Sequence, residues 1–209
     1  MSNGIIHIGA NGGQESDSYY NEGNRKVIFI EAHPGILPRL IDRISKYENQ
    51  KAIQALVTDV DGKEYDFFYD NNNAGQSCSL FDFHLHKKMF PRVTMAGTIK
   101  LIGKTLPTIL KENNINLEEY KHINMDVEGA ELLVLKGASS ILHNFETIIL
   151  EACDFESRIG QPFLKDIDEF MSSHNFVASN KRKIHHADGV NVVSIEEGNY
   201  YEATYTQKK

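Results

Sequence analysis

The sequence lacks long apolar runs, a basic leader and paired cysteines. No run of about 18 apolar residues occurs, and the opening letters MSNG lead straight into an apolar stretch, so we predict neither secretion nor a membrane-spanning segment. The two cysteines, Cys78 and Cys153, lie far apart and outside a CxxC spacing. They predict reduced thiols in a reducing compartment, with the cytoplasm as the expected location.

An excess of positive charge is also missing. Lys and Arg number 22 against 29 Asp and Glu, which gives a formal charge of −7. Duplex nucleic acids and anionic membranes are bound through clustered basic residues, and the basic run 181–183 is short. We therefore predict neither a nucleic acid nor a membrane as the main partner.

The length and composition are those of an ordinary globular domain. The 209 residues, of which 41% are hydrophobic, can form one α/β domain over 1–209. The chain begins with the apolar Ile5 and Ile6 and no preceding helix. This start suggests the hypothesis of a domain taken from a longer polypeptide, with fused or partner domains.

Short apolar runs alternate with longer helical patterns, which is typical of a mostly parallel sheet with helices on both faces. The predicted strands cover 4–9, 26–31, 52–58, 121–126 and 146–152. The predicted helices cover 14–21, 35–47, 105–113, 130–142 and 162–174.

Three regions depart from this alternation. Asp61-Gly62 is a typical hairpin turn, so 63–69 is predicted to form an extra β-hairpin after the third strand. The segment of about 70–104 follows an Asn-rich turn and is predicted to be a lid or acceptor-binding segment. Strands are predicted at 176–179, 190–195 and 200–205, with a turn at Asp188-Gly189 and surface histidines at His185 and His186.

A nucleoside-binding pattern occupies the first two strands. The glycine-rich HIGANGGQ follows the first strand, and Glu31 ends the second about 20 residues on, where an acid accepts hydrogen bonds from a ribose. Asn11 replaces the second glycine of a dinucleotide motif, which favours S-adenosylmethionine over a pyrophosphate ligand. Asp59 is placed to meet the adenine. The alternatives are an ordinary turn, an exposed strand end and a hairpin residue.

Several motifs occur in a fixed order: HIGANGGQ, VIFIEAHP, VTDVDG, Ser79-Leu80, TLPTIL and MDVEGAELLVLKGA. From residue 4 to 152 the sequence resembles the FkbM-type family of S-adenosylmethionine-dependent methyltransferases. The resemblance implies a Rossmann-like class I methyltransferase fold, with a seven-stranded sheet of order 3-2-1-4-5-7-6. It also implies methyl transfer to oxygen, on hydroxyls of sugars, glycans or other natural products.

The resemblance assigns roles to residues where the motifs match. Glu31 would bind the ribose and Asp59 would lie near the adenine. His7 stands where most relatives have Asp, so the contact of this position with the cofactor ammonium is open. The full set of implied cofactor-binding residues is His7, Gly9, Ala10, Asn11, Gly13, Glu31, Ala32, Asp59 and Asp126.

The join between the fourth strand and its helix carries three acids. Asp126 closes the strand and is the first candidate for the base that takes the proton of an acceptor hydroxyl. Glu128 is predicted to bind the acceptor or assist catalysis, whereas Glu131 suits the start of the helix. An acid pair could also hold a divalent cation, but no further carboxylate stands at ligand spacing, so no metal site is predicted.

The remaining candidates lie in the predicted lid. His84 is a competing base because histidine titrates near neutral pH, and the alternative is a solvent-facing histidine. Ser79, Phe83 and His86 are predicted to contact the acceptor. Two rival functions stay open, a nucleotide-dependent oxidoreductase and a non-catalytic adenosyl-binding module.

Overall fold

The computed structural model describes residues 4–23, 26–70, 72–184, 186–187, 192–193 and 196–208. The predicted turn at Asp188-Gly189, most of the predicted strand 190–195 and the predicted surface residue His185 lie outside these ranges.

The elements alternate along the chain as the sequence predicts. In order they are β1 Gly4–Ile8, α1 Ser16–Asn21, β2 Val27–Glu31, α2 Leu37–Ile44, β3 Gln50–Gln54, β4 Leu56–Val57, β5 Glu64–Asp70, α3 His86–Met89, β6 Met95–Lys104, α4 Leu106–Glu112, β7 Tyr120–Met125, α5 Glu131–Gly137, β8 Thr147–Cys153, α6 Leu164–Ser173, β9 Phe176–Ile184, β10 His186–Ala187, β11 Val192–Val193 and β12 Tyr200–Gln207.

Seven strands form the main sheet, in the order β3-β2-β1-β7-β8-β12-β9. When only these seven strands are numbered along the chain, the order is 3-2-1-4-5-7-6, and the predicted fold class is confirmed. Within this sheet, β3, β2, β1, β7 and β8 run parallel to one another, and β12 pairs antiparallel with both β8 and β9.

Alternating side chains of β1 divide the core into two layers. Ile6 and Ile8 pack into the larger cluster, which includes residues of α4, α5 and α6. Ile5 faces the other way and packs with residues of α1 and α2. All five residues of β1 are buried, as expected for a strand that is covered on both faces.

The extra antiparallel strand predicted at 63–69 is confirmed as β5, but its predicted pairing across the hairpin turn is wrong. The turn at Asp61-Gly62 exists, but β5 pairs antiparallel with β6, and β6 also pairs in parallel with β4. The strand β6 therefore lies between the two segments that flank the turn. The strand β6 also lies within the segment of about 70–104 that was predicted to be a lid or acceptor-binding segment, so residues 95–104 of that segment form a regular strand.

Several predicted boundaries shift. The strand predicted at 176–179 extends to Ile184, and the helix predicted at 35–47 is shortened to Leu37–Ile44. The predicted strand 52–58 is divided into β3 and β4 at Ala55, and the helix predicted over 130–142 ends at Gly137. Among the described residues, no helix is both long enough and apolar enough to cross a membrane.

Candidate functional site

A cavity of about 740 Å³ opens at the carboxyl ends of β1, β2, β4, β7 and β8. This is the position where open α/β sheets bind their ligands, and the volume suits a cofactor-sized molecule. Predicted site residues that line it are His7, Gly9, Ala10, Asn11, Glu31, Ala32, His86, Asp126 and Glu128.

The glycine-rich turn, residues 9–13, begins in close contact with the end of β7. Gly9 has φ +79°, and a Cβ there would overlap the carbonyl oxygen of Asp126. The Asp126 N–H donates to the carbonyl of Ile8 at 3.0 Å. Only glycine fits this conformation and this approach, so the turn and the start of the acid-rich join are fixed against each other.

Glu31 ties the glycine-rich turn to the end of β2. One carboxylate oxygen accepts the N–H of Asn11 and the other accepts the N–H of His33, both at 2.7 Å. Burial raises the pKa of Glu31, and these backbone donors oppose the rise. The carboxylate is thus held at the cavity wall by hydrogen bonds that favour its charged form.

A buried chain of polar side chains surrounds His7, just before the glycine-rich turn. His7 Nδ1 lies 3.0 Å from the Tyr19 hydroxyl, which accepts a hydrogen bond from Asn124 at 2.5 Å. Burial lowers the pKa of His7 to about 4, so the ring is neutral at physiological pH. Glu15 also lines the cavity and places a carboxylate oxygen 4.0 Å from His7 Nδ1.

The Asn-rich segment, residues 70 and 72–78, contacts the glycine-rich turn and contributes to the cavity lining. The Asp70 carboxylate accepts backbone N–H groups of Asn73, Gly75 and Ser77 at 2.7 to 3.2 Å. Asn11 donates to the carbonyl of Ala74 at 3.2 Å. These hydrogen bonds therefore fix the backbone of the segment where it lines the cavity.

Four carboxylates line the other end of the cavity, and we call them the acid cluster: Asp126, Glu128, Glu151 and Glu202. Asp126 is exposed to the open cavity, but the protein atoms around its carboxyl displace part of its hydration, and this desolvation raises its pKa above the ordinary range. The negative charge of Glu128 adds to the rise. Burial followed by the charge of Glu128 likewise raises the pKa of Glu151 to about 7. Arg182 forms an ion pair with Glu202 at 3.0 Å.

Glu131 belongs to the join but faces away from the main cavity. It is 2% exposed, and its carboxylate accepts the N–H groups of Val127 at 3.1 Å and Gly129 at 3.3 Å. Burial raises its pKa to about 7. Glu131 thus holds the loop between β7 and α5 in shape.

Other predicted residues lie outside the cavity lining. The Asp59 carboxylate accepts the Tyr65 hydroxyl at 3.0 Å, and the cavity wall nearby consists of Leu56 and Val57. His84 pairs with Glu156 on the surface at 3.1 Å. Gly13 packs against α2, since a Cβ there would meet Leu40.

Ser79 and Phe83 lie behind the acid cluster rather than on the cavity surface. The Ser79 hydroxyl donates to the carbonyl of Glu128 at 2.7 Å. Phe83 stacks on His86 with ring centroids 4.3 Å apart, and His86 is the member of this pair that lines the cavity.

Several lining residues escape the motif-based prediction, namely Glu15, Asn124, Glu151, Tyr200 and Glu202. The sequence did contain a signal for Glu151, because placing a carboxylate in the apolar strand TIILEAC costs folding free energy unless the group has a partner or a function. Among the described residues, no group of three or more His, Cys, Asp or Glu side chains is arranged to hold a metal ion.

The strand order and the cavity at the carboxyl ends of the strands define a Rossmann-like class I methyltransferase fold. Solved structures agree with this fold. The chain is similar to M. capricolum TrmK in complex with S-adenosyl-homocysteine, with 11% identity and a TM-score of 0.55, over 100% of this chain and 63% of that one. The methyltransferase FkbM domain matches residues 7–178, and the chain belongs to this family.

Two further solved structures show the same fold. Streptococcus pneumoniae Sp1610 in complex with S-adenosyl-L-methionine is 12% identical, with a TM-score of 0.54 over 100% of this chain and 69% of that one. Precorrin-6y C5,15-methyltransferase from Geobacter metallireducens is 12% identical, with a TM-score of 0.53 over 99% and 81%. This chain spans less than two thirds of the length of the M. capricolum protein. No curated protein matches the sequence significantly.

Proposed function

We propose that the protein is an S-adenosylmethionine-dependent methyltransferase that transfers a methyl group to a hydroxyl oxygen, on a sugar or glycan. One observation carries the proposal. A single cavity joins the glycine-rich turn and Glu31 at one end to the acid cluster at the other. A nucleoside-type cofactor and a hydroxyl-bearing acceptor can therefore meet within one enclosed space.

The lining residues suit the cofactor. Glu31 has lone pairs left for ribose hydroxyls after accepting two N–H groups. Glu15 supplies a negative charge beside the neutral His7, where the ammonium group of the cofactor would bind. Bound there, S-adenosylmethionine would supply the activated methyl group. This support is independent of the solved structures with bound S-adenosyl-L-methionine or S-adenosyl-homocysteine.

The acid cluster suits the removal of a proton from a hydroxyl. A general base works best when its pKa lies near the working pH, and desolvation together with neighbouring negative charges raises the pKa values of Asp126 and Glu151. Asp126 is the base in this proposal because it directly follows β7, beside Gly9 of the cofactor end. Glu151 is the second candidate.

Acceptor chemistry follows from the same lining. Carboxylates accept hydrogen bonds from hydroxyl groups, and Tyr200 and Phe90 add aromatic surface, which suits a sugar ring. Non-sugar hydroxyl acceptors are the alternative. The proposal also includes action in the cytoplasm, and partnership with fused or separate glycan-modifying domains.

Mass spectrometry tests the proposal. We expect a product one methyl group heavier than its acceptor when S-adenosylmethionine is supplied with a panel of sugars, nucleotide sugars, glycans and other hydroxyl compounds. Asp126→Asn should lower kcat by roughly 10²-fold to 10⁴-fold, because a positioned base contributes that much, and should leave the affinity for S-adenosyl-homocysteine nearly unchanged.

Asp66→Asn is the matched control, since it removes an exposed carboxylate that is paired with Lys100 on β6. Normal turnover by Asp126→Asn would refute the base assignment. Products methylated on nitrogen or carbon would refute oxygen transfer. Hydride transfer with NAD and no methylated product would favour an oxidoreductase instead.

A further inference from the structure

A buried arginine stands behind the acid cluster. Arg158 is 1% exposed, and its Nη2 donates to a carboxylate oxygen of Glu128 at 2.5 Å. Its guanidinium lies 5.0 Å from the ring centroid of Phe83. Within the described residues, Nη1 is buried without a hydrogen-bond partner. A buried guanidinium with one carboxylate partner adds little to the free energy of unfolding, because the loss of hydration offsets the ionic attraction. Stability alone therefore does not explain an arginine at this position.

The partner of Arg158 is held in an unfavourable backbone conformation. Glu128 has φ +56°, in the left-handed region that side chains other than glycine rarely adopt. Its carbonyl accepts the Ser79 hydroxyl at 2.7 Å, and its carboxylate meets Arg158. Both ends of the residue are therefore fixed, and strain of this kind is typical of functional sites.

A second contact fixes the arginine itself. The backbone N–H of Arg158 donates to the side-chain oxygen of Gln161 at 2.9 Å. Gln161 packs against Gly129, the residue after Glu128. A small pocket of about 20 Å³, which Arg158 and Gln161 line, shares Asp126, Glu128, Glu151 and Tyr200 with the main cavity. The arginine thus adjoins the acceptor end directly.

Charged groups surround Asp126 from several elements. The charged or titratable residues that line the main cavity or the small pocket are His7 of β1, Glu31 of β2, Glu131 of α5, Glu151 and Cys153 of β8, Tyr200 and Glu202 of β12, His86 of α3, and Glu15, Cys78, Arg92, Glu128 and Arg158 from loops. Glu128 raises the pKa of Asp126 and Arg158 lowers it. The two partners of the ion pair therefore act on the same carboxyl with opposite signs.

We propose that Arg158 is a positioning residue, which holds Glu128 at the cavity wall as a charged hydrogen-bond acceptor that orients the acceptor hydroxyl toward Asp126. The proposal rests on the methyl transfer proposed above. Glu128 then acts on the acceptor, and Arg158 acts through Glu128 without touching the acceptor.

The test compares Arg158→Gln, Glu128→Gln and the double variant in the full chain. We follow kcat and KM against pH, and titrate the Asp126 carboxyl by NMR with ¹³C-labelled aspartate, assigned by its loss in Asp126→Asn. In Arg158→Gln the acidic limb of kcat and the Asp126 titration should move to higher pH. In Glu128→Gln both should move to lower pH, because a neighbouring negative charge is gone.

The KM values separate positioning from general damage. Each single variant should raise KM for the acceptor roughly tenfold or more, and the double variant should be no worse than the poorer single one, because both act through one contact. Lys104→Gln is the matched control. It breaks an exposed ion pair, also 2.5 Å long, with Glu112 outside the cavity, and it should change neither readout.

If the acidic limb of kcat and the Asp126 titration moved in the same direction in both single variants, the proposal would be overturned while methyl transfer persists. Additive effects of the two substitutions on KM would overturn it as well. Absence of any methylated product from the parent would instead overturn the proposed function. If Arg158→Gln does not fold, Arg158→Lys keeps the charge but loses the planar fork. It should raise KM and leave the acidic limb in place, and an unchanged KM there would count against positioning.

Discussion

At the scale of single residues, the three acids of INMDVEGAELLVLKGA occupy different surroundings although only five positions separate them. Asp126 is open to the cavity, Glu128 is paired with Arg158, and Glu131 is buried beneath the loop. In the proposed function, Asp126 would take up the proton, Glu128 would bind the substrate hydroxyl and Glu131 would hold the loop in shape, so three side chains of the same chemistry would have three different roles.

The stability of the protein should depend on the protonation of Glu131. Because burial raises its pKa from 4.5 to about 7, the folded state binds a proton more tightly than the unfolded state. Stability is then lost as pH rises from about 4.5 to about 7. Glu131→Gln should be more stable than the parent at pH 8, by up to about 3 kcal/mol, and the gap should close near pH 4.5.

Urea unfolding over this pH range measures the effect. Glu48→Gln removes an exposed carboxylate on a surface turn and is the control. A remaining slope in Glu131→Gln is expected from Asp126 and Glu151, whose pKa values are also raised. A Glu131→Gln variant that is less stable than the parent at pH 8 would show that the charged form is needed.

The sequence motifs predicted lining residues at the carboxyl ends of strands, but they did not predict lining residues from parts of the chain that carry no motif. The place of Glu31 and Asp126 in the cavity lining was predictable because Glu31 ends β2 and Asp126 directly follows β7, and ligands of open α/β sheets bind at the carboxyl ends of the strands. Arg158 follows β8 in a loop without a motif, and only the folded chain brings it to Glu128. Asp59 matches a motif, yet its side chain is engaged by Tyr65.

At the scale of secondary-structure elements, the contact between β1 and β7 positions the site. These strands pair in parallel up to Ile8 and Met125, so their carboxyl ends present Gly9 and Asp126 side by side. The glycine-rich turn after β1 and the acid cluster, which includes Asp126 after β7, therefore meet at the ends of these two strands. A shift of either strand would separate them.

Two glycines with nearly the same backbone conformation test this contact. Gly9 has φ +79° and overlaps Asp126 once a Cβ is added, whereas Gly62 has φ +81° and open space around it. Gly62→Ala should cost about 1–2 kcal/mol from the left-handed conformation alone. Gly9→Ala should cost roughly 3 kcal/mol or more, because overpacking adds to that penalty.

Urea unfolding of both glycine variants and calorimetry with S-adenosyl-homocysteine measure these costs. Gly62→Ala should bind like the parent, since it lies away from the cavity lining. Equal costs for the two variants would mean that β1 and β7 adjust to the added methyl group, and that their contact is not a rigid part of the site.

The β5 strand shows where local patterns end. Asp61-Gly62 predicts a turn, and the turn forms, but the pairing partner arrives about 40 residues later in the chain. The side chains of β6 alternate between exposed and half-buried positions, so the strand carries no strong apolar signal. Its insertion between β4 and β5 is a long-range event, which hairpin chemistry does not encode.

At the scale of the whole molecule, cofactor binding should stabilise the fold. A ligand that binds only the folded state at 100 times its Kd adds about 2.7 kcal/mol. For a chain of this size we expect S-adenosyl-homocysteine to raise Tm by roughly 5–10 °C, and NAD at the same concentration to leave it unchanged. Differential scanning calorimetry over a ligand series checks this, and a rise with NAD alone would contradict the proposed cofactor.

The placement of β12 has a consequence for the order of assembly. β12 follows β9 in the chain but lies between β8 and β9, and it carries Tyr200 and Glu202 of the cavity wall. Because β12 is the sole neighbour of β9 among the described strands of the main sheet, β9 cannot join that sheet before β12 does. β12 must therefore pair with β8 before β9 or together with it, so the wall that carries Tyr200 and Glu202 is complete only when the last of the seven strands in sequence has been added.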